Sequence, residues 1–125
     1  MLEREFTKLQ ADIEELWHGQ GAAVLRLVGE IDIATVDRMR EALAKLAERH
    51  LTDVIIDATG VTFMDSTGLH ALVEGKRHIH EDGSNIVLIA SPNVRRVLEL
   101  IFPDPLFAAR VSTIEEALAT LSQSE

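Results

Sequence analysis

Short β-branched runs alternate with stretches of helical period along most of this chain, and turn residues separate them. Residues 24–28 (Val-Leu-Arg-Leu-Val) predict a strand that ends at Gly29, and Val36, Met39, Leu43 and Leu46 then fall on one helical stripe. Residues 54–58 predict a second strand. Thr59-Gly60 predicts a turn after it, residues 61–64 lead in, and Leu69, Leu72, Val73 and Ile79 mark the apolar face of a second helix. A third strand is expected over residues 86–90, after the turn residues 81–85. Ser91 as cap and Pro92 at the first position predict a third helix with Val94, Val97, Leu98 and Ile101 on its inner face. Pro103 and Pro105 end it, since neither can continue a helix. A short strand over residues 108–111 and a last helix carrying Ile114, Ala117, Leu118 and Leu121 complete the pattern. Ser112 or Thr113 caps that helix, and Glu115 and Glu116 suit its first turn.

The first twenty residues admit two periods. Leu2, Phe6, Leu9, Ile13 and Leu16 sit at helical spacing, whereas Leu9, Ala11, Ile13 and Trp17 fit alternation, and Gly19-Gln20-Gly21 would close a hairpin onto the next strand. The reading adopted is an edge strand over about residues 11–17. The alternation of strand and helix predicts an α/β fold in one domain spanning residues 1–125, without repeats or linkers.

Composition narrows the function classes. At 125 residues, 46% of them hydrophobic and 26% charged, the chain suits one globular domain with a full core. No apolar run approaches the roughly 20 residues that cross a bilayer, and the first five residues lack the basic-then-apolar order of a signal peptide, so a cytoplasmic protein without membrane contact is expected. The absence of cysteine excludes disulfides, thiolate metal sites and a cysteine nucleophile. A net charge of −9 argues against direct nucleic-acid binding, which rests on clustered Lys and Arg, and favours a basic protein partner. No metal or cofactor is expected, and oligomeric state is left open by the sequence.

The stretch with most chemical content is Met64-Asp65-Ser66-Thr67-Gly68, which joins a buried-strand pattern to an amphipathic helix. A helix start leaves about four N–H groups without intrahelical partners and carries partial positive charge, so it accommodates an oxyanion or a phosphate. Ser66 is thereby a candidate phosphoacceptor. Asp65 or Ser66 also suits the plain role of N-cap. Gly68 either leaves the approach to Ser66 open or permits a close helix-to-sheet contact.

Gly29-Glu30-Ile31-Asp32 at a strand end, residues 63–69 (Phe-Met-Asp-Ser-Thr-Gly-Leu) at the next strand-to-helix turn, and residues 87–94 (Val-Leu-Ile-Ala-Ser-Pro-Asn-Val) occur in order. Together they resemble the STAS family, and within it the bacterial anti-sigma factor antagonists, over about residues 22–121. The resemblance implies a mixed four- to five-stranded sheet with about four helices, mainly on one face. It further implies that Ser66 is phosphorylated by a serine kinase that is itself the anti-sigma factor, that the unphosphorylated form binds this kinase and frees a sigma factor, and that a serine phosphatase restores it. Asp32, with Glu30, matches positions beside the phosphoacceptor loop that face the partner, as do Asp65, Thr67 and Gly68; Thr67 is a second hydroxyl where some relatives have serine. The Pro103/Pro105 segment departs from the family, which has a glycine there.

Charge physics is compatible with such a switch. A phosphate adds about −1.5 to −2 charge beside Asp65, so a partner surface shaped for a neutral hydroxyl would meet misplaced charge and a desolvation cost. Other chemistries fit less well. A serine hydrolase built on Ser66 and His70 lacks the Gly-x-Ser-x-Gly elbow, because Met64 stands at the first glycine position. Asp-Ser-Thr-Gly is one residue longer than the aspartic-protease triplet, and His78 and His80, two apart on a helix, point away from one another. Non-enzymatic alternatives within the same resemblance are a scaffold subunit of a stress-signalling complex and a subunit of a lipid-transport ATPase.

Overall fold

The computed structural model describes residues 8–16, 21–101 and 113–123. Strand β1 (Leu9–Leu16) leads into β2 (Ala22–Ile31), α1 (Val36–Glu48), β3 (Asp53–Met64), α2 (Ser66–Glu81), β4 (Asn85–Ala90), α3 (Pro92–Ile101) and α4 (Ile114–Gln123). The sheet has the order β1-β2-β3-β4, with β1 antiparallel to β2 and the other neighbours parallel. The first halves of the two central strands, residues 22–25 of β2 and 54–56 of β3, are unbroken apolar runs because both faces are covered there, as parallel strands require. By contrast β1 alternates, sending Leu9, Ala11 and Ile13 toward the main core, which marks it as an edge strand with one face dry. The alternation reading of the N-terminal segment therefore holds, with the strand placed at Leu9–Leu16. Trp17, Gly19 and Gln20 lie outside the described residues.

The larger core joins Leu25, Leu27, Val54 and Ile56 of the sheet to Met39, Leu43 and Leu46 of α1, Leu69, Leu72 and Ile79 of α2, and Val94 and Leu98 of α3. The stripes read from the periodicity for α1, α2 and α3 face inward there, except that Val97 is only half-buried and Ile101 is exposed. A smaller cluster of Val24, Ile55, Ile89, Ala117 and Leu121 places α4 on the opposite face of the sheet. Capping follows the sequence: the Val94 N–H donates to Ser91 Oγ at 3.3 Å, and the Glu116 N–H donates to Thr113 Oγ1 at 3.1 Å. Pro103, Pro105, Ser112 and the expected strand over residues 108–111 lie outside the described residues.

Two boundaries differ from expectation. β2 does not stop at Gly29 but runs on to Ile31. Gly29 has φ +120°, a conformation that favours glycine, and a Cβ there would collide with the Lys8 carbonyl; the bare backbone lets the chain ahead of β1 cross close by, and the Glu30 N–H donates to Lys8 O at 2.7 Å. Thr59-Gly60 is likewise no chain reversal. β3 passes straight through it, and the register moves from Arg26↔Asp57 to Val28↔Gly60, which puts one extra residue into β3. Asp57 Oδ1 stabilises this bulge by accepting from the Thr59 N–H at 3.0 Å and the Thr59 hydroxyl at 2.7 Å. A second shift lies between Gly29↔Val61 and Glu30↔Phe63. Turn residues produce a bulge here because strongly apolar residues on both sides keep the strand in the sheet.

β4 pairs with β3 only as far as Ala58↔Ala90, so the end of β3 extends past β4 and delivers the Asp65-Ser66-Thr67 turn to the C-terminal edge of the sheet.

Candidate functional site

Asp65 is the residue that caps α2. Its backbone is extended at φ −94° and ψ −176°, its Oδ1 accepts from the Gly68 N–H at 2.9 Å, and its carbonyl accepts from the Leu69 N–H at 2.9 Å. With the cap role filled, Ser66 stands one position further on as the first helical residue. It is exposed, and its hydroxyl has no hydrogen-bond partner among the described residues. The first turn of α2 contains no acidic residue, and the Asp65 cap sets one carboxylate at the positive end of the helix dipole. This arrangement presents a serine oxygen to solvent at a place where added negative charge is partly offset.

The remaining sequence-predicted residues surround it in different ways. Thr67 is half-buried and Gly68 is buried. A Cβ on Gly68 would lie 2.6 Å from Ile31 Cγ2 and 3.0 Å from the Ile31 carbonyl oxygen, so the glycine serves the close approach of helix to strand, the second of the two explanations open from sequence. The Asp65 N–H also donates to Ile31 O at 3.1 Å, which ties the serine turn directly to the end of β2.

Beyond Ile31, Asp32 organises the β2–α1 turn. Its Oδ1 accepts from the Ala34 N–H at 2.9 Å and the Thr35 N–H at 3.1 Å, and its Oδ2 lies 3.8 Å from the Lys8 ammonium. Only 19% of the Asp32 side chain is exposed, so much of this carboxylate is committed to the turn. Glu30 is exposed, with the Lys8 ammonium 4.0 Å from its Oε1. Thr35 completes the network: its hydroxyl donates to Glu30 O at 2.8 Å and accepts from the Asp32 N–H at 3.0 Å. Sequence reading missed Thr35 and Lys8. The Asp-x-x-Thr spacing before an apolar helical stripe carried a signal for the first, whereas Lys8 is brought in by the crossing at Gly29, which leaves no local trace.

Also unforeseen are two large apolar side chains in the open beside this site, Ile33 at 79% and Phe63 at 50% exposure. His70, His78 and His80 are exposed on α2. Among the described residues, no group of three or more His, Cys, Asp or Glu side chains is arranged to hold a metal ion, and no helix is long and apolar enough to cross a membrane.

Comparison with known proteins agrees with the architecture. The STAS domain profile matches residues 15–117. The anti-sigma-F factor antagonist RsfB of Mycobacterium tuberculosis is 32% identical over 98 residues, which are 78% of this chain and 80% of that protein. The crystal structure of an anti-sigma factor antagonist from Mycobacterium paratuberculosis superposes with a TM-score of 0.78 at 23% identity, covering 91% of this chain and 94% of that one. SpoIIAA, the Bacillus cell fate determinant solved in its phosphorylated form, gives a TM-score of 0.69 at 23% identity, covering 90% and 99% respectively. A matched span that includes the serine turn, together with a relative above 30% identity along most of both chains, assigns this protein: it belongs to the STAS-domain family, alongside the bacterial anti-sigma factor antagonists.

Proposed function

We propose that this protein, acting as one domain over its whole length, is an anti-sigma factor antagonist whose docking is switched by phosphorylation of Ser66. The observation that carries the reading is the division of labour at the α2 N-terminus: Asp65 satisfies the helix, and Ser66 is left exposed with an uncommitted hydroxyl. The partner is an anti-sigma factor that is also a serine kinase. Ser66 Oγ attacks the γ-phosphorus of ATP, its proton passes to a base on the kinase, and ADP leaves. A serine phosphatase returns the hydroxyl by hydrolysis. The protein itself performs no catalysis, works in the cytoplasm and needs neither nucleic acid nor membrane.

The direction of the switch follows from charge. The unmodified site already holds the carboxylates of Glu30 and Asp32, each within 4.0 Å of the Lys8 ammonium, and the Asp65 carboxylate that caps α2. A phosphate adds about −1.5 to −2 charge there, and a docked surface shaped for a hydroxyl must desolvate and accommodate it. The helix mouth offsets only about 0.3–1 kcal/mol of this in the free protein, so the penalty falls mainly on the complex. Relatives named as antagonists favour a switch over a scaffold role.

The test is phosphorylation in vitro with the purified anti-sigma kinase and ATP, followed by peptide mass mapping. Modification confined to Ser66, lost in Ser66→Ala, is the expected result. Modification of Thr67 alone, or none, contradicts the assignment.

A further inference from the structure

Helix α4 covers only part of the sheet face that lies opposite the main core. Ala117 and Leu121 pack there on Val24, Ile55 and Ile89, and beyond Val24 the same face of β1 and β2 is open. Leu9 and Ala11 of β1 and Leu25, Leu27 and Ile31 of β2 point into the main core, so the residues between them point the other way. Strand register sets these outward residues in three rows. Lys8, Glu30 and Phe63 form the row toward the end of β2, Gln10, Val28 and Gly60 the middle row, and Asp12, Arg26 and Asp57 the row next to the part that α4 covers. Val28, in the centre, is 47% exposed. Beside it Gly60 leaves a hollow, since a Cβ there would lie 3.0 Å from Val28 Cγ2.

On β1 and β2 the two outer rows carry opposite patterns of charge. One reads Lys8 then Glu30, the other Asp12 then Arg26, and the row between them is uncharged. A half-turn about an axis that crosses the strands along the middle row exchanges the outer rows. A second copy laid face to face in that way sets Lys8 over Asp12 and Glu30 over Arg26, each twice, and Val28 over Val28 on the axis. Packed sheets stand about 10 Å apart, within reach of these long side chains from both copies. Such self-complementarity is what a two-fold dimer requires. The chain as a whole carries −9 and repels its copies, whereas the four charges of these rows cancel. Asp57 adds little to the seam, because its carboxylate accepts from the Thr59 N–H and hydroxyl and only 15% of its side chain is exposed. Glu14 lies one row further on, paired with Arg26, whose guanidinium has donors enough for a second carboxylate. We infer that this protein forms a reversible two-fold homodimer through the open face of β1 and β2, with Val28 on the axis and Lys8–Asp12 and Glu30–Arg26 as its cross-copy ion pairs. Three strands by three rows project over roughly 300 Å², well under the about 800 Å² that a standard interface takes from each partner, so the dimer is weak and exchanges with monomer.

Sedimentation equilibrium of the purified protein at low salt, up to concentrations on the order of 1 mM as so small an interface demands, reads the dimer directly. The wild-type mass should climb from 13.8 kDa toward twice that value. Val28→Lys puts two ammonium groups on the axis and should stay monomeric, with a thermal midpoint close to wild type because the position is half exposed. Arg26→Glu and Glu30→Arg each turn both copies of one cross pair into like charges and should weaken association at least tenfold. Mixed one to one, these two variants again oppose unlike charges at both crossings, so the mixture should dimerise although neither variant does so alone. Should Arg26→Glu fail to fold, Lys8→Glu mixed with Asp12→Lys makes the same exchange on β1. A wild type that stays monomeric throughout overturns the dimer. So does association that survives Val28→Lys at wild-type strength, or a mixture no more associated than its separate components. If wild type is monomeric while Val28→Lys weakens binding of the purified anti-sigma factor, the face belongs to that partner and the second copy is excluded.

Discussion

Gly68→Ala is an unusual glycine-to-alanine change, because two opposed effects have magnitudes that the structure ranks. Alanine is favoured over glycine by up to about 1 kcal/mol in a helix, so in an open first turn the change would stabilise the protein. At Gly68, however, the new methyl lands 2.6 Å from Ile31 Cγ2 and 3.0 Å from the Ile31 carbonyl oxygen. The first of these is the stem of a β-branched residue fixed in a strand, and the second is backbone, so neither can swing aside. Overpacking of this kind costs about 1–3 kcal/mol, and two fixed contacts put Gly68 in the middle of that range or above, so that after the propensity gain a net loss of roughly 1–2 kcal/mol remains. For a domain of this size that is a fall of about 4–8 °C in thermal midpoint. Differential scanning calorimetry on wild type, Gly68→Ala, Ile31→Leu and the double variant checks it. Leucine removes the Cγ2 branch, so the cost of Gly68→Ala should shrink by about 1 kcal/mol in that background. A rise in the midpoint for the single variant, or strict additivity with Ile31→Leu, would refute the packing argument.

Asp65→Ala should lose about 1 kcal/mol of stability with the cap, whereas Asp65→Asn should hold it, as chemical denaturation would read. Gly29→Ala combines a φ of +120° with a collision against the Lys8 carbonyl, and a loss above about 2 kcal/mol is expected; a midpoint near wild type would show that the N-terminal segment yields instead. Asp32→Ala strips the acceptor from the Ala34 and Thr35 N–H groups, and about 1–2 kcal/mol should disappear, visible as faster amide exchange at those two positions. Ser66→Ala, at an exposed position without a hydrogen-bond partner among the described residues, should leave stability within about 0.5 kcal/mol, so that any binding effect reads the hydroxyl alone.

The helices were legible because each presents an apolar stripe to one face of the sheet, and periodicity records that directly: Met39, Leu43 and Leu46 are buried as the spacing requires. Strands β2, β3 and β4 were equally visible in the β-branched runs, whereas the segment of β1 admitted two periods. The ends of β2 and β3 were not, because glycine encodes both a stop and a close crossing. Gly29 and Gly60 look identical to turn glycines until the Lys8 carbonyl or the Val28 side chain is brought against them by distant pairing. The serine turn was readable as a helix start, yet the choice of Asp65 over Ser66 as cap depends on backbone angles that no pattern of residue types specifies. The exposure of Ile33 and Phe63 was hidden for a related reason. An apolar residue next to a strand end predicts burial, and only the fixed turn at Asp32 and the emergence of β3 past β4 leave the two side chains uncovered.

The central claim is that one hydroxyl at the mouth of α2 decides docking. Its most direct measurement is the dissociation constant for the anti-sigma factor of two otherwise identical preparations, one unmodified and one fully phosphorylated at Ser66. A weakening of about a hundredfold on phosphorylation, equivalent to ~2.8 kcal/mol, is predicted. Equal constants for the two preparations would contradict it.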